Sequence, residues 1–303
     1  MTRVFDKPPR TLEEQVALLE SRGMQIDDRD AAVRHLRHIN YYRLRAYWLP
    51  FEQATNSGNH RFSPGTQFDA VVRTYSFDRK FRLLVMDAVE RVEVSVRTQW
   101  AYRIAHCHGS HGYTNAGVFR DGAKHRECLN SLKTELGRSH ETFVRHYKGT
   151  YSTPKLPPVW VICEVLSFSA LSNWYANLKD GEDRKAIAAP HAIDEQVLES
   201  VMHHLVYLRN LCAHHSRLWN REATIGMKLA KRPKALHQLF NRERPKRIFN
   251  SLLILGYLLD LISPGSGWRT RAVHLVAEHP ELDLEAMGFT ADWRARLLTE
   301  FRA

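Results

Sequence analysis

Hydrophobic residues recur at three- and four-residue steps along most of this chain, which is the spacing of one face of an α-helix. The longest such pattern runs from about Phe68 to Ile104. Its apolar positions include Phe77, Phe81, Leu84, Val85, Ala88, Val92, Val96 and Trp100. Few stretches alternate apolar and polar residues. The pattern therefore predicts an all-α protein with almost no strand.

Helix-start and helix-stop signals define an N-terminal helical region. Thr11 and Glu14 have the spacing of a capping box, and Gly23 supplies a stop, so residues 12–22 are predicted to form the first helix. Asp28 is predicted to cap a second helix, which leads into a cluster of tyrosine, tryptophan and phenylalanine. The polar residues 56–59 are predicted to form the loop that closes this region.

Further helices are predicted over 124–147, after the prolines near residue 158, and from Asp194 onward. The apolar stretch 252–262 is predicted to be a buried helix that completes the core. After it, the Gly- and Ser-rich residues 263–267 form a predicted linker. Two short helices are predicted to follow, at 269–278 and 292–302. The expected regions are an N-terminal region (1–60), a helical core (61–262) and a C-terminal tail (263–303).

The charge balance favours a polyanionic partner. Lys and Arg number 44 against 33 Asp and Glu, which gives a formal charge of +11 and a pI near 9.6. Nucleic acid is the expected partner, because arginine, the better phosphate ligand, recurs beside histidine and aromatic residues. The alternative is a basic surface that only keeps the protein in solution.

Several features predict a cytoplasmic protein. The four cysteines show no C-x-x-C spacing, which is typical of reduced thiols. The N-terminus turns polar before any apolar run develops, so no signal peptide is expected. The longest apolar stretch contains Gly256 and Asp260 and is shorter than the roughly 20 residues of a membrane span.

The segment Arg209-Asn210-Leu211-Cys212-Ala213-His214, followed at once by His215-Ser216-Arg217-Leu218-Trp219-Asn220-Arg221, holds the candidate chemistry. Arginine is permanently cationic and suits phosphate, and histidine can move a proton near neutral pH. Such a pair supplies what metal-free RNA cleavage needs, since the RNA 2′-hydroxyl can attack the neighbouring phosphate. The alternative is a helix end where an arginine and a histidine only face water or cap carbonyl groups.

Helical geometry separates two faces of this segment. At about 100° per residue, one stripe is apolar and is predicted to face the core: Val201, Leu205, Leu208, Cys212 and Trp219. Asn210, His214, Arg217 and Arg221 are predicted to share the opposite face. Arg209 is rotated about 140° from His214, so a second copy of the helix is expected to complete the site. His215 lies about 100° off the His214 stripe and is the weaker candidate.

Other chemistries have less support. His106, Cys107, His108 and His111 offer possible metal ligands, but without a tetrahedral zinc spacing, so no metal or other cofactor is expected. No P-loop, G-x-S-x-G or H-E-x-x-H motif is present. Glu93 and Arg97 have the spacing of a helical ion pair, which fits a solvated pair as well as a functional one.

The Arg209–His214 segment resembles the R-N-x-x-x-H motif of HEPN ribonucleases, and the chain as a whole resembles their Abi-like (abortive infection, AbiD/AbiF type) branch. Four further segments carry this resemblance: residues 39–44, the helix from Glu90 to Arg97, residues 156–160 with Glu164, and residues 287–289 with Trp293. The resemblance implies a HEPN-type helical bundle and a homodimeric, metal-independent endoribonuclease of phage defence or toxin–antitoxin type. It also favours a functional role for Glu93 and Arg97 beside the motif.

The resemblance further implies the roles of individual residues. His214 would be the general base, with its symmetry mate as general acid, and Arg209 would stabilise the phosphorane. Asn210 would orient the imidazole or the phosphate. The RNA-binding or supporting residues would be His215, Arg217, Asn220, Arg221, Glu93, Arg97 and Glu164. The alternatives are a non-catalytic HEPN protein that binds a structured noncoding RNA, and a purely protein-binding regulator, against which the charge argues.

Overall fold

The computed structural model describes residue 4 and residues 8–53 and 60–301. These residues form fourteen α-helices and no strand, with three isolated β-bridges. The all-α prediction is therefore confirmed. The helices are α1 (Leu12–Ser21), α2 (Arg29–His38), α3 (Tyr41–Trp48), α4 (Phe68–His108), α5 (Gly122–Arg138), α6 (Thr142–Thr150), α7 (Val159–Val165), α8 (Phe168–Ala176), α9 (Gly181–Ala188), α10 (Glu195–Ala213), α11 (Lys234–Leu239), α12 (Ile248–Ile262), α13 (Trp268–Ala277) and α14 (Trp293–Leu298).

The chain divides into two compact units, Met1–Lys80 and Phe81–Ala303, and the boundary falls within α4. The predicted loop at 56–59 lies outside the described residues, as does the end of the predicted helix 292–302. The three-region division made from the sequence remains a prediction.

The first unit is built from α1, α2, α3 and the start of α4. The capping box is confirmed: the Thr11 hydroxyl accepts from the Glu14 N–H at 3.2 Å, and the Glu14 carboxylate accepts from the Thr11 N–H at 2.8 Å. Asp28 caps α2 as predicted. Gly23 follows α1 with φ +95°, a conformation that favours glycine. Inside this unit, the Tyr47 hydroxyl donates to the Asp78 carboxylate at 2.6 Å.

The second unit is organised around α12. Every residue from Ile248 to Leu259 is buried, which is expected of a helix that is apolar on all sides. Asp260 forms a largely buried ion pair with Arg269 of α13, at 2.9 Å. A Cβ on Gly256 would lie 2.7 Å from the Arg269 guanidinium, so glycine allows the two helices to approach closely. This pair explains why the apolar stretch contains a glycine and an aspartate.

Two predicted helices are each interrupted. The segment predicted as one helix over 124–147 forms α5 and α6, with a break at residues 139–141. The helix predicted after the prolines forms α7 and α8. Leu166 adopts an extended conformation between them, and the Ser167 hydroxyl caps α8 by accepting from the Ala170 N–H. Serine favours helix N-caps over helix interiors, so a local signal did mark the second break.

Candidate nucleic-acid active site

Helix α10 carries the candidate motif and is held by its apolar face. Its first turn is capped by Asp194, whose carboxylate accepts from the Gln196 N–H at 2.8 Å. The helix packs against α8 and α9. The predicted core stripe is buried: Val201, Leu205, Leu208 and Cys212 are each at most 5 % exposed. The opposite side of the helix is left to solvent.

The helix ends inside the motif, which corrects one prediction. Ala213 is the last residue of α10 and His214 is its C-cap. The His215 N–H donates to Cys212 O at 3.1 Å and the Ser216 N–H to Leu211 O at 2.8 Å. His215 has φ +55°. This is a Schellman ending with a histidine in the position where glycine is usual.

Arg217 and Arg221 therefore do not continue the His214 face of a helix, and the predicted stripe is wrong beyond His214. The chain turns at His215 and turns again at Asn220, which has φ +46°. Trp219 is still buried, at 3 % exposure, although it lies outside the helix. The apolar periodicity beyond His214 thus reflects burial of a loop rather than a further helical turn.

The backbone at His215 leads to a stability prediction. His215→Gly is expected to be more stable than His215→Ala by about 1 kcal/mol, because only glycine adopts the left-handed region without a steric cost. Both variants lack the imidazole, so their difference isolates the backbone. Urea unfolding of the purified proteins measures it. Ala213 is the matched control: there the helical conformation should make glycine the less stable residue. Equal stability of the two His215 variants would contradict the prediction.

His214 and Asn210 open onto a cleft of about 290 Å³ between α10 and α8. Ser169 and Asn173 of α8 line its other side. Both motif side chains are exposed. A histidine in contact with solvent, one helical turn from an amide side chain, can exchange a proton with a bound substrate.

The same cleft contains Tyr207, which the sequence analysis did not select. The backbone N–H of Thr224 donates to the Tyr207 hydroxyl at 3.5 Å. Burial raises the pKa of this phenol, but hydrogen bonds from Thr224 and Arg221 outweigh that effect and bring the pKa below its usual value. Tyr207 lies seven residues before His214, which is two helical turns, and this spacing could have identified it.

Arg209 is directed elsewhere. Of the described residues, those that line the cleft include His214 and Asn210 but not Arg209. Arg209 is half-buried, and its Nη1 makes a long hydrogen bond, 3.5 Å, to Asn210 Oδ1. Within one chain, the motif arginine is thus absent from the lining of the His214 cleft, although it contacts Asn210, which belongs to that lining.

The structure brings the three supporting residues predicted on neighbouring helices together. Arg97 of α4 lies 2.6 Å from Glu93 and 3.8 Å from Glu164 of α7, and it also donates to Leu166 O at 3.1 Å. Burial raises the pKa of the Glu93 carboxyl, and the charges of Arg97 and Arg209 oppose this shift. Arg209 is therefore close enough for its charge to act on Glu93. The cluster joins α4 to the break between α7 and α8.

The loop after the helix holds the other predicted residues. The Arg221 Nε donates to Arg217 O at 2.7 Å, and the Arg217 guanidinium lies 5.7 Å from the centre of the Trp219 ring. Arg247 donates to Asn220 at 3.4 Å. Arg221 is connected to the cleft through its hydrogen bond to Tyr207, and Ser216 of the same loop lines the cleft directly.

The sequence analysis also did not single out a basic segment that follows this loop. Residues 228–247 contain eight Lys and Arg side chains and one Glu. The Lys228 N–H donates to the Ser200 hydroxyl of α10 at 2.8 Å, and the Ala223 N–H donates to Lys246 O at 2.9 Å. The dense runs at 231–234 and 242–247 are a sequence signal that could have marked it. The first contact ties the start of the basic segment to the motif helix, and the second ties its end to the loop that follows the helix.

His204 anchors the wall of the cleft. Its Nδ1 lies 2.6 Å from the carbonyl of Ile225, a cleft residue, and its Nε2 lies 2.8 Å from the Ser251 hydroxyl of α12. A carbonyl only accepts, so Nδ1 carries a proton, and in the neutral imidazole Nε2 accepts from the serine hydroxyl. Burial lowers the pKa of His204 below its usual value.

A pH dependence of stability follows. Below about pH 6.5, the unfolded chain binds a proton at this histidine that the folded chain does not bind. Stability should be full above that pH and should fall as the pH drops, by up to about 1.4 kcal/mol per pH unit for one proton. Urea unfolding between pH 5.5 and 7.5 tests this. The pKa of buried His191 is also lowered, so the wild type retains a second source of the same slope.

The variant His204→Asn separates the two histidines. It should be less stable than the wild type at pH 7.5. Its free energy of unfolding should also fall less steeply toward pH 5.5, because one fewer histidine takes up a proton on unfolding. An identical slope in the wild type and the variant would show that His204 does not titrate on unfolding.

The histidines considered as metal ligands have other partners. His108 Nε2 lies 2.7 Å from the buried Asp183 carboxylate, and His111 Nε2 lies 2.9 Å from Leu156 O. Among the described residues, no group of three or more His, Cys, Asp or Glu side chains is arranged to hold a metal ion. Within the same residues, every helix is too short or too polar to cross a membrane. All four cysteines lie in described positions and are thiols rather than disulfides.

The comparisons with known proteins agree with the family expected from the motifs. The family described as Abi-like protein matches residues 34–220, which is more than half of the chain and includes α10 and the whole Arg209–His214 motif. Searches of curated proteins and of solved structures gave no significant match. The chain therefore belongs to the Abi-like protein family, whose name associates it with abortive infection, a form of phage defence.

Proposed function

We propose that the chain is a HEPN-type, metal-independent endoribonuclease that acts in phage defence or in a toxin–antitoxin pair. The observation that carries the proposal is the placement of His214. Its imidazole is exposed in a cleft, beside Asn210 and Tyr207, and a basic segment begins at Lys228, whose N–H donates to Ser200 of the same helix. A proton-transfer group and a phosphate-binding surface are the two requirements of RNA cleavage through the 2′-hydroxyl.

In the proposed reaction, His214 removes the proton of an RNA 2′-hydroxyl. The 2′-oxygen forms a bond to the adjacent phosphorus, and the bond from phosphorus to the 5′-oxygen breaks. The leaving oxygen takes a proton from a general acid. The products are a 2′,3′-cyclic phosphate and a 5′-hydroxyl. Asn210, one turn before His214, orients the imidazole or the phosphate.

The general acid is proposed to come from a second copy of the chain. The motif supplies one catalytic histidine, and Arg209 does not line the His214 cleft of its own chain. In a homodimer with twofold symmetry, the two α10 helices can supply both histidines and both arginines to a shared cleft. Arg209 of either chain would then stabilise the negative charge of the phosphorane.

The remaining predicted residues have distinct proposed roles. Arg217, Arg221 and the basic segment 228–247 contact the RNA backbone, with Arg221 also hydrogen-bonded to Tyr207. Asn220 and His215 act through the backbone, by turning the chain after α10. Glu93, Arg97 and Glu164 position the helices around Arg209. This assignment makes RNA the partner, and a cytoplasmic location remains a prediction.

A second function has one observation in its favour. Because Arg209 does not line the His214 cleft within a chain, the protein could bind a structured noncoding RNA without cutting it. In that case, the basic segment would provide the affinity. RNA binding without any cleavage would select this alternative.

We expect purified protein to cleave RNA in excess EDTA, since no step of the proposed reaction uses a metal ion. The products should end in a cyclic phosphate, which mass spectrometry detects. A 2′-deoxy substitution at the cleaved nucleotide should abolish cleavage, because the attacking hydroxyl is then missing. The same substitution one nucleotide further along is the control and should have little effect. Cleavage that stops in EDTA and returns with magnesium would contradict the proposal.

A further inference from the structure

A second groove lies in the first unit. It has a volume of about 780 Å³ and is formed by α1, the end of α2 and the start of α3. Its lining residues all fall before residue 81 and include Arg10, Arg22, Tyr41, Tyr42 and Arg45. The volume is in the range of sites that hold small organic ligands.

One wall of the groove is aromatic and fixed in place. Tyr42 is 71 % exposed, and its ring lies 5.9 Å from that of Tyr41 in an edge-on arrangement. The Tyr41 ring packs in turn against Trp48, at 4.9 Å. The Tyr42 N–H donates to the Asn40 side chain at 2.8 Å, which caps α3. A large aromatic side chain is thus exposed on the capped first turn of α3.

Three arginines lie among the prolines and leucines of the other walls. Arg22 donates to the Tyr41 hydroxyl at 3.0 Å. Burial raises the pKa of Tyr41, while the charges of Arg22, Arg45 and Arg10 lower it, so all three guanidinium groups lie near this ring. The opposing acid is Glu52, which lies 3.8 Å from Arg45 and 2.9 Å from His60. In the described part of the chain, the charges that act on Tyr41 are thus three arginines against one carboxylate.

We propose that this groove binds a single-stranded segment of RNA. A flat exposed ring suits an unpaired base of any identity, and neighbouring guanidinium groups suit the phosphates on either side of it. A base would stack on Tyr42, and its phosphates would contact Arg10 and Arg22. An acidic peptide would use the arginines but would leave the exposed ring unexplained. A duplex would present no unstacked base.

The site goes beyond the proposed nuclease function, because it lies in another unit and requires no cleavage. It would anchor an RNA independently of the chemistry at His214. The test therefore uses a probe that cannot be cleaved through a 2′-hydroxyl: a fluorescein-labelled oligouridylate of eight 2′-fluoro nucleotides. Fluorescence anisotropy of the full-length protein then reports binding alone.

Tyr42→Ala is expected to weaken binding of this probe about tenfold, whereas Tyr42→Phe, which keeps the ring, should bind within about twofold of the wild type. Arg10→Gln should reduce the slope of log K against log salt by about 0.7, the value for one lost phosphate contact on a single strand. Arg34 of α2 is 64 % exposed and does not line the groove. Arg34→Gln is therefore the charge-matched control and should leave affinity and slope close to those of the wild type.

Photocrosslinking identifies the part of the protein that contacts the RNA. An oligonucleotide carrying 4-thiouridine should crosslink to the peptide that contains Tyr42. Wild-type affinity in a folded Tyr42→Ala protein, or crosslinks confined to residues after 80, would overturn the proposal. Displacement of the probe by an acidic peptide at lower concentration than by unlabelled oligouridylate would also overturn it, in favour of a protein ligand. If the protein cleaves no RNA in any assay but the probe still binds through Tyr42, the nuclease proposal fails and the binding proposal is supported.

Discussion

Replacement of His214 by alanine is expected to abolish RNA cleavage, with a rate at least about 100-fold below that of the wild type, because the proton-transfer group is removed. Expression of the wild-type chain alone should slow bacterial growth, and the variant should grow normally. Cleavage of total RNA after induction and growth curves measure the two effects together.

The fold should survive this substitution. The His214 side chain is exposed, and the bond that caps α10 joins its backbone N–H to Asn210 O at 2.9 Å, so alanine retains it. Circular dichroism and thermal unfolding should match the wild type. His140→Ala, which removes an exposed histidine between α5 and α6, is the matched control and should remain toxic. If folded His214→Ala protein is as toxic as the wild type, the catalytic assignment is incorrect.

Adding inactive His214→Ala chains to wild-type chains is expected to lower the rate of RNA cleavage by more than the dilution of the wild-type chains explains. If each active cleft needs His214 from both chains, equal amounts of the two proteins leave about one quarter of the dimers with both histidines. Independent sites would leave half of the activity. The measurement is cleavage rate against the fraction of wild-type chain, after subunit exchange, and a quadratic curve supports the shared cleft.

Arg209→Ala is a second test of the shared cleft. Loss of a cationic group that stabilises the phosphorane is expected to lower the rate about 100- to 1,000-fold. His214→Ala and Arg209→Ala should each keep the fold, because neither residue is part of the buried face of α10, and sedimentation of each variant checks that the dimer is retained. A fully active wild-type monomer, or a linear mixing curve, would rule out the shared cleft.

Local interactions explain which features could be predicted. Thr11, Asp28 and Asp194 each accept a hydrogen bond from an N–H two or three residues further along the chain, so their caps are visible in the sequence. The long periodicity of α4 and the apolar composition of α12 are equally direct signals. For the same reason, the stripe from Val201 to Cys212 was assigned to the core correctly.

The errors occur where periodicity continues past the end of a helix. Trp219 is buried and keeps the apolar spacing of α10, although the helix ends at Ala213. A histidine at a left-handed position carries no clear stop signal, because glycine usually fills that position. Tyr207 was missed because its environment depends on Thr224 and Arg221, which approach it only after the chain turns back.

The sequence by itself determined the all-α class, the starts of the principal helices, the buried face of α10, and the residue types that make RNA chemistry possible. These follow from hydrogen bonds and side-chain spacing within one or two helical turns. Only the tertiary structure decided which of those residues share a cleft. That outcome depends on contacts between distant segments, such as His204 with Ile225 and Arg97 with Leu166, which hold the walls around His214 and Arg209. Such contacts form only when separate helices pack together, and no local pattern in the chain specifies them.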